Sequence, residues 1–230
     1  MKRKGFKGIL LLLSMLFALT GCSVSEATQH GMAVDTIQTE DVLLRVDFLN
    51  VGQADCALLS TKGHYMVIDG GNNGDADTIL SYLEGQGVEK LDAVVGTHPH
   101  EDHIGSLDAI INHFDVDAVY MPKIMHTSKT FEDVLDAVAN KGLKIKSPSP
   151  GDTIDFNGLE IEVLGPQREY KDFNNNSIVL KVNAGETAFL FTGDAEETAE
   201  KDILQADYDL QADVLKVGHH GSSTSSSQAF

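Results

Sequence analysis

Basic residues are scarce in this chain: 17 Lys and Arg stand against 35 Asp and Glu, for a formal net charge of −18. A surface this acidic is repelled by bulk nucleic acid and by anionic lipid head groups, which argues against a broad nucleic-acid-binding face. Cysteine is nearly absent. Of the two, Cys22 closes an N-terminal apolar run and Cys56 sits in the apolar stretch Asp55-Cys56-Ala57-Leu58-Leu59. No internal disulfide is expected, and Cys56 reads as a small buried hydrophobe. Long apolar runs are also missing: the longest, residues 9–19 with Ser14 inside it, is too short to cross a bilayer comfortably.

That run has the length of a signal-peptide core, and Lys2, Arg3, Lys4 and Lys7 before it supply the basic region. It ends in Leu19-Thr20-Gly21-Cys22, which resembles the bacterial lipobox, with an ordinary secretory signal as the alternative. Residues 1–21 therefore read as a lipoprotein signal peptide and Cys22 as the lipidation site. Residues 22–40 read as a flexible polar tether and 41–230 as the folded domain. Cleavage removes four basic and no acidic residues, so 13 bases face 35 acids and the mature charge is −22. The expected location is exported and lipid-anchored on the outer face of the cell membrane, or the outer membrane if the host has one.

Beyond residue 42 the pattern changes. Apolar stretches at 42–49, 56–59 and 65–68, separated by glycine-containing turns, predict strands. A short amphipathic helix is predicted over 78–83, a buried strand over 91–97 and a helix over 104–114. A strand at 118–121 and a helix at 131–140 follow; Phe131, Val134, Leu135 and Val138 share a helical face, and Gly142 closes it. Strands at 159–164, 177–182 and 187–192, a helix at 195–205 and a strand at 212–217 complete the series. Many strands with interspersed helices and no repeat predict a layered α/β sandwich.

The segment that carries chemistry is Thr97-His98-Pro99-His100-Glu101-Asp102-His103, between a strand and a helix. In an extended chain residues two apart point the same way, so His98 and His100 can reach one metal together. As the chain turns into the helix, Asp102 and His103 can face a second metal beside it. Such ligands suit divalent Zn, Mn or Fe. His219 and His220 lie just past a strand, where one can act as ligand or proton donor and the other as its support. His113 and His126 read as surface residues, and His30 and His64 have no context that assigns them a role.

With its HxHxDH pattern the chain resembles the metallo-β-lactamase superfamily. Ile68-Asp69-Gly70-Gly71 resembles the Asp-Gly turn that precedes the signature, and Phe191-Thr192-Gly193-Asp194 the strand-end Asp that bridges two metals. Three further segments are similar to the hydrolase domain of ComEC-type competence proteins. Residues 48–55 resemble its FLDVGQGD opening, with Ala54 in place of Gly; residues 174–180 resemble NNxSLVL, and residues 215–222 LKVxHHGS. The resemblance, from about residue 43 onward, implies an α/β fold of the αββα sandwich type. It implies one or two divalent ions, Zn or Mn, at His98, His100, Asp102, His103 and Asp194, with His219 and His220 as further candidates. Many superfamily hydrolases place a third His between the signature and the bridging Asp, where this chain has an Asn-rich run. Asn175 or Ser177 either offers an oxygen to metal or substrate, or belongs to a turn with Ser177 starting a strand. ComEC relatives continue through another helix and strand to a Tyr-Gly-His-Pro segment that resembles the source of the last ligand. The serines of 222–227 read as N-caps of an apolar helix beginning at Gln228-Ala229-Phe230. The expectation is therefore a domain lacking its last strand and helix, binding fewer than two metals.

For function, the resemblance implies a metal-bound hydroxide oriented by Asp102, with His220 as proton donor. A ComEC-like phosphodiesterase or nuclease activity, linked to competence and DNA uptake, comes first; its substrate is a small phosphodiester or a nucleic acid held locally. Amide or lactone hydrolysis, including that of β-lactams, is the alternative, weakened by the missing third His. A non-catalytic surface module of competence or envelope machinery is the third reading.

Overall fold

The computed structural model describes residues 43–230; the expected signal peptide 1–21, Cys22, His30 and the expected tether 22–40 lie outside the described residues. The first half runs β1 (Arg45–Phe48), β2 (Ala57–Thr61), β3 (His64–Ile68), α1 (Ala76–Gly85), β4 (Lys90–Leu91), β5 (Ala93–Val95), α2 (Glu101–Ile104), α3 (Leu107–His113), β6 (Asp115–Val116), β7 (Val119–Tyr120), α4 (Lys129–Asn140) and β8 (Ile145–Lys146). The second half runs β9 (Thr153–Phe156), β10 (Leu159–Gly165), β11 (Val179–Ala184), β12 (Thr187–Phe191), α5 (Glu197–Gln205) and β13 (Val214–Lys216).

Two sheets form the middle, six-stranded in the order β1-β2-β3-β5-β7-β8 and five-stranded in the order β13-β12-β11-β10-β9. Strand periodicity explains why each has two buried faces. In β2 and β3, Leu58 and Val67 point to a core shared with α1, α3 and α4, while Leu59 and Met66 point to the other sheet. The second sheet repeats this. Val163, Leu180 and Phe191 face the first sheet, and Leu164, Val179 and Leu190 face Ala199 and Ile203 of α5. Helix, sheet, sheet and helix are thus stacked by three apolar clusters, and each fully buried aliphatic side chain contributes about 1.5–3 kcal/mol. This is the αββα sandwich. No helix among the described residues is long and apolar enough to cross a membrane.

Helix α4 follows its sequence signals closely. The Ser128 side chain accepts the Phe131 N–H at 3.2 Å, and Phe131, Val134, Ala137 and Val138 are buried on one face. Elsewhere the elements differ from the sequence pattern. The expected strand 91–97 divides at Asp92, whose carboxylate turns aside to His64 Nδ1 (2.8 Å) and the Tyr65 N–H (2.9 Å). The expected helix 104–114 is two helices, and the first starts at Glu101, so Asp102 and His103 belong to its opening turn. Strands β8 and β9 were not expected. Residues 222–230 form turns rather than the start of a helix, and Phe230 packs beside the α5 cluster.

Candidate metal centre

The site lies where the ends of β3, β5 and β12 meet the loop after β13. Asp69, in the left-handed region at φ 60°, directs a buried carboxylate inward from the end of β3. It accepts the Thr97 N–H at 2.7 Å and the Thr97 hydroxyl at 2.8 Å, and these bonds fix the chain leading into His98. Its Oδ2 also lies 2.8 Å from His103 Nδ1. A carboxylate on one ring nitrogen sets the tautomer and aims the other nitrogen, here Nε2, into the site.

Gly193 explains how β12 delivers Asp194. Its φ is +52°, and a Cβ there would lie 2.9 Å from Ser177 and from the Thr97 hydroxyl, so only glycine fits. Asp194 is buried, and its N–H donates to Ser177 Oγ at 3.0 Å. His219 and His220 then fold over the cluster in consecutive left-handed conformations (φ 48° and 50°), an arrangement that costs non-glycine residues energy and needs outside support.

The donors converge on Asp194. On one side, His98 Nε2 lies 3.0 Å from His100 Nδ1 and 3.8 Å from Asp194 Oδ2, and His219 Nε2 lies 3.8 Å from that same oxygen. On the other side, His103 Nε2 is 3.1 Å from Asp194 Oδ1. His220 Nε2 is 3.1 Å from Asp102 Oδ2 and 3.7 Å from Asp194 Oδ2. Donors about 2.0–2.1 Å from one tetrahedral ion are about 3.3 Å apart, and the neighbouring pairs just named, at 3.0–3.8 Å, lie near that spacing. His103 Nε2 and Asp194 Oδ1 are buried and face each other at 3.1 Å, with no aligned hydrogen-bond partner for either. Buried orphan donors are rare unless something else engages them. The residues present therefore fit divalent ions.

Asp55 is the carboxylate that sequence reasoning left unassigned. One donor each from Asp55, His103, Asp194 and His220 falls within 4.8 Å of the others. The Asp55 oxygens, however, face the outer nitrogens: Oδ1 is 3.3 Å from His220 Nδ1 and Oδ2 is 3.7 Å from His103 Nδ1. Lys216 Nζ caps it at 2.5 Å. Asp55 thus aims His220 as Asp69 aims His103, and Glu196 does the same for His219, its Oε1 3.2 Å from His219 Nδ1. The available signal was an acid at the end of an apolar strand, too common to single out.

Charge follows this wiring. Burial and four neighbouring imidazoles hold His98 neutral, its pKa well below the ordinary 6.5. Burial opposes charge on His103 too, but Asp69 and Asp194 push it up to about 10. The Asp102–His220 hydrogen bond holds Asp102 at about 2; the same bond, with Asp55, raises His220 to about 9. The cluster attracts positive charge at His103 and His220, the two imidazoles of the second donor group.

Asn175 and Ser177 both support backbone. The Asn175 amide oxygen accepts the N–H groups of Glu196 (3.2 Å) and Ala199 (3.0 Å) at the start of α5, leaving no oxygen for metal or substrate. Ser177 is buried and precedes β11 instead of starting it. His113 pairs with Glu84 at the surface, as expected. His126 does not lie free on the surface: it is half-buried, its ring 4.6 Å from Phe173 and 6.3 Å from His100, at the rim of the site.

Residues 49–230 match the Metallo-beta-lactamase superfamily. The chain is 29% identical over 204 residues to ComE operon protein 3 of Bacillus subtilis (strain 168), covering 80% of this chain and 26% of that protein. It is 29% identical over 184 residues to Competence protein ComA of Neisseria gonorrhoeae, covering 79% of this chain and 24% of that protein. Both are competence proteins of the ComEC type, and the chain spans about a quarter of their length. Rm3 metallo-beta-lactamase shares the fold, with a TM-score of 0.53 at 11% identity over 77% of this chain and 78% of that one. By the match over residues 49–230, together with a histidine and aspartate cluster at the edge of an αββα sandwich, the chain belongs to the metallo-beta-lactamase superfamily.

Proposed function

We propose that this chain is a divalent-metal hydrolase of phosphodiesters, acting on small substrates or on a single strand held locally. The observation that carries this reading is the pair of donor groups sharing Asp194, with His103 Nε2 and Asp194 Oδ1 buried between them and without an aligned hydrogen-bond partner. One ion would be held by His98, His100, His219 and Asp194, the other by Asp102, His103, His220 and Asp194. In the first group His219 takes the part that the Asn-rich run leaves unfilled, and three imidazoles with one carboxylate suit zinc better than manganese. Such ions supply Lewis acidity, polarising the scissile group and lowering the pKa of water.

The chain's own residues do the rest. Asp69, Asp55 and Glu196 hold three histidines in one tautomer each, so the donors are set before substrate arrives. Asp102 is the most exposed carboxylate of the cluster, at 32% of its side chain, and orients the attacking water. With Nε2 among the donors and Nδ1 on Asp55, His220 has no free nitrogen to give a proton, so the leaving oxygen takes its proton from water. Similarity to competence proteins supports a phosphodiester over an amide or lactone. Export and anchoring through lipid on Cys22 would set this chemistry outside the cell membrane, and labelling with radioactive palmitate in the host tests that part. Activity is tested on bis-p-nitrophenyl phosphate with zinc and with manganese. Turnover lost in Asp102→Ala is expected; no turnover with either metal overturns the proposal, and nitrocefin hydrolysis in its place would redirect it to lactams.

A further inference from the structure

Glu200 is fully buried on α5, yet no basic side chain among the described residues pairs with it. Its Oε1 accepts the Ser226 N–H at 2.5 Å and its Oε2 the Ser227 N–H at 2.9 Å. Those serines lie in the segment just after the His219–His220 turn. From there Ser226 Oγ accepts the Gly218 N–H at 3.2 Å, and the Glu197 N–H donates to the Thr224 carbonyl at 3.0 Å. Glu196, at the start of the same helix, bonds the Thr224 hydroxyl (3.0 Å) and faces His219 Nδ1 (3.2 Å). The serine-rich segment is therefore folded back and clasped along the first turns of α5. A buried carboxylate needs strong partners, and two backbone N–H groups supply them only while the segment stays in place.

We propose that Glu200 is a positioning residue for the metal centre. By clasping residues 224–227 it holds the two consecutive left-handed conformations at His219 and His220, and so aims one imidazole at each donor group. This rests on the metal-centre reading above. A pair of non-glycine residues at positive φ does not persist alone, and among the described residues this clasp is what joins the far side of the turn to a helix.

The test uses full-chain protein loaded with cobalt(II), whose visible ligand-field spectrum reports coordination directly. Glu200→Ala and Glu200→Gln are compared with Ser226→Gly. The last removes only the hydroxyl that holds Gly218 and suits the φ of 52° at that position, so it leaves the helix core intact. Expected are an altered cobalt spectrum and about tenfold weaker metal affinity in Glu200→Ala and Ser226→Gly, with partial rescue in Glu200→Gln. Glu200→Ala that fails to fold leaves Ser226→Gly to decide. A folded Ser226→Gly with the parent's spectrum and affinity overturns the clasp. A parent protein that binds no cobalt overturns the metal-centre reading itself, and the inference with it.

Discussion

For three of the five site histidines, a single carboxylate decides which nitrogen is presented. Asp69 behind His103, Asp55 behind His220 and Glu196 behind His219 each occupy Nδ1, and the Nε2 atoms are left to converge. His98→Ala or Asp102→Ala removes a donor outright. Either should weaken metal binding by more than about 100-fold, beyond the loss typical of an outer partner, and abolish the rise in melting temperature on adding zinc. His113→Ala, which breaks only a surface contact with Glu84, should change neither. Metal content by plasma emission checks both; equal content in His98→Ala and parent contradicts the assignment.

The same residues predict how metal-free protein responds to pH. His103 and His220, raised to about 10 and about 9 from the ordinary 6.5, contribute stability that is fully present below pH 6.5 and is lost as pH rises through those values. Asp102, lowered to about 2 from 3.8, contributes above 3.8 and loses its share as pH falls through 2. Chelator-stripped protein should therefore melt progressively lower from about pH 6.5 towards pH 10, while below pH 6.5 the lowered His98 and His100 cost stability as well. Zinc-loaded protein should show the opposite trend from pH 5 to 7, because protons compete for the same nitrogens. A stripped protein whose melting temperature rises from pH 7 to 9.5 contradicts this wiring.

At the scale of elements, the junction of α2 and α3 is the tightest place in the site's frame. A Cβ on Gly105 would lie 2.2 Å from the Asn72 carbonyl carbon and 2.3 Å from the Asn73 nitrogen, both backbone atoms that cannot step aside. The Gly105 N–H also donates to the Gly71 carbonyl at 2.8 Å, tying the signature helix to the turn after Asp69. Gly105→Ala should cost at least about 3 kcal/mol in urea unfolding, at the upper end for overpacking. Asn175→Ala, which uncaps α5, should cost about 1–2 kcal/mol. Reversal of that order would mean the α2–α3 junction is looser than its contacts imply. This frame was only partly legible in the sequence. The strong period of α4 predicted it well, but β6 and β8 are two residues long and carry no period to detect. The early start of α2 was hidden because its first turn is made of polar ligands instead of an apolar stripe.

For the whole molecule, the acidic excess bears on partners. With 35 acids against 17 bases, the net charge repels duplex DNA, and the proposed metal centre is where a nucleic acid would be engaged. In chelator at about 0.15 M salt, duplex DNA should not be retained in a gel-shift assay at about 1 µM protein. Retention under those conditions would contradict the reading of the charge.

Some properties were determined locally and could be read directly. The HxHxDH spacing, the strand-end Asp194 and the apolar alternation of the strands depend only on neighbours along the chain, so they stated the fold class and the candidate donors. The partition of donors was decided in three dimensions. His219 and His220 are adjacent in sequence, yet left-handed backbone sends one to each side of Asp194, a conformation held by contacts with α5 and with Asp55 across the sandwich. Asn175 could be read either as an oxygen donor or as part of a turn, until folding brought the start of α5 to its amide oxygen. His126 looked like a surface residue until Phe173 packed against it. Ligand identity follows from residue type and local spacing, whereas ligand aim follows from which distant carboxylate or backbone amide reaches the side chain, and only the tertiary fold supplies that.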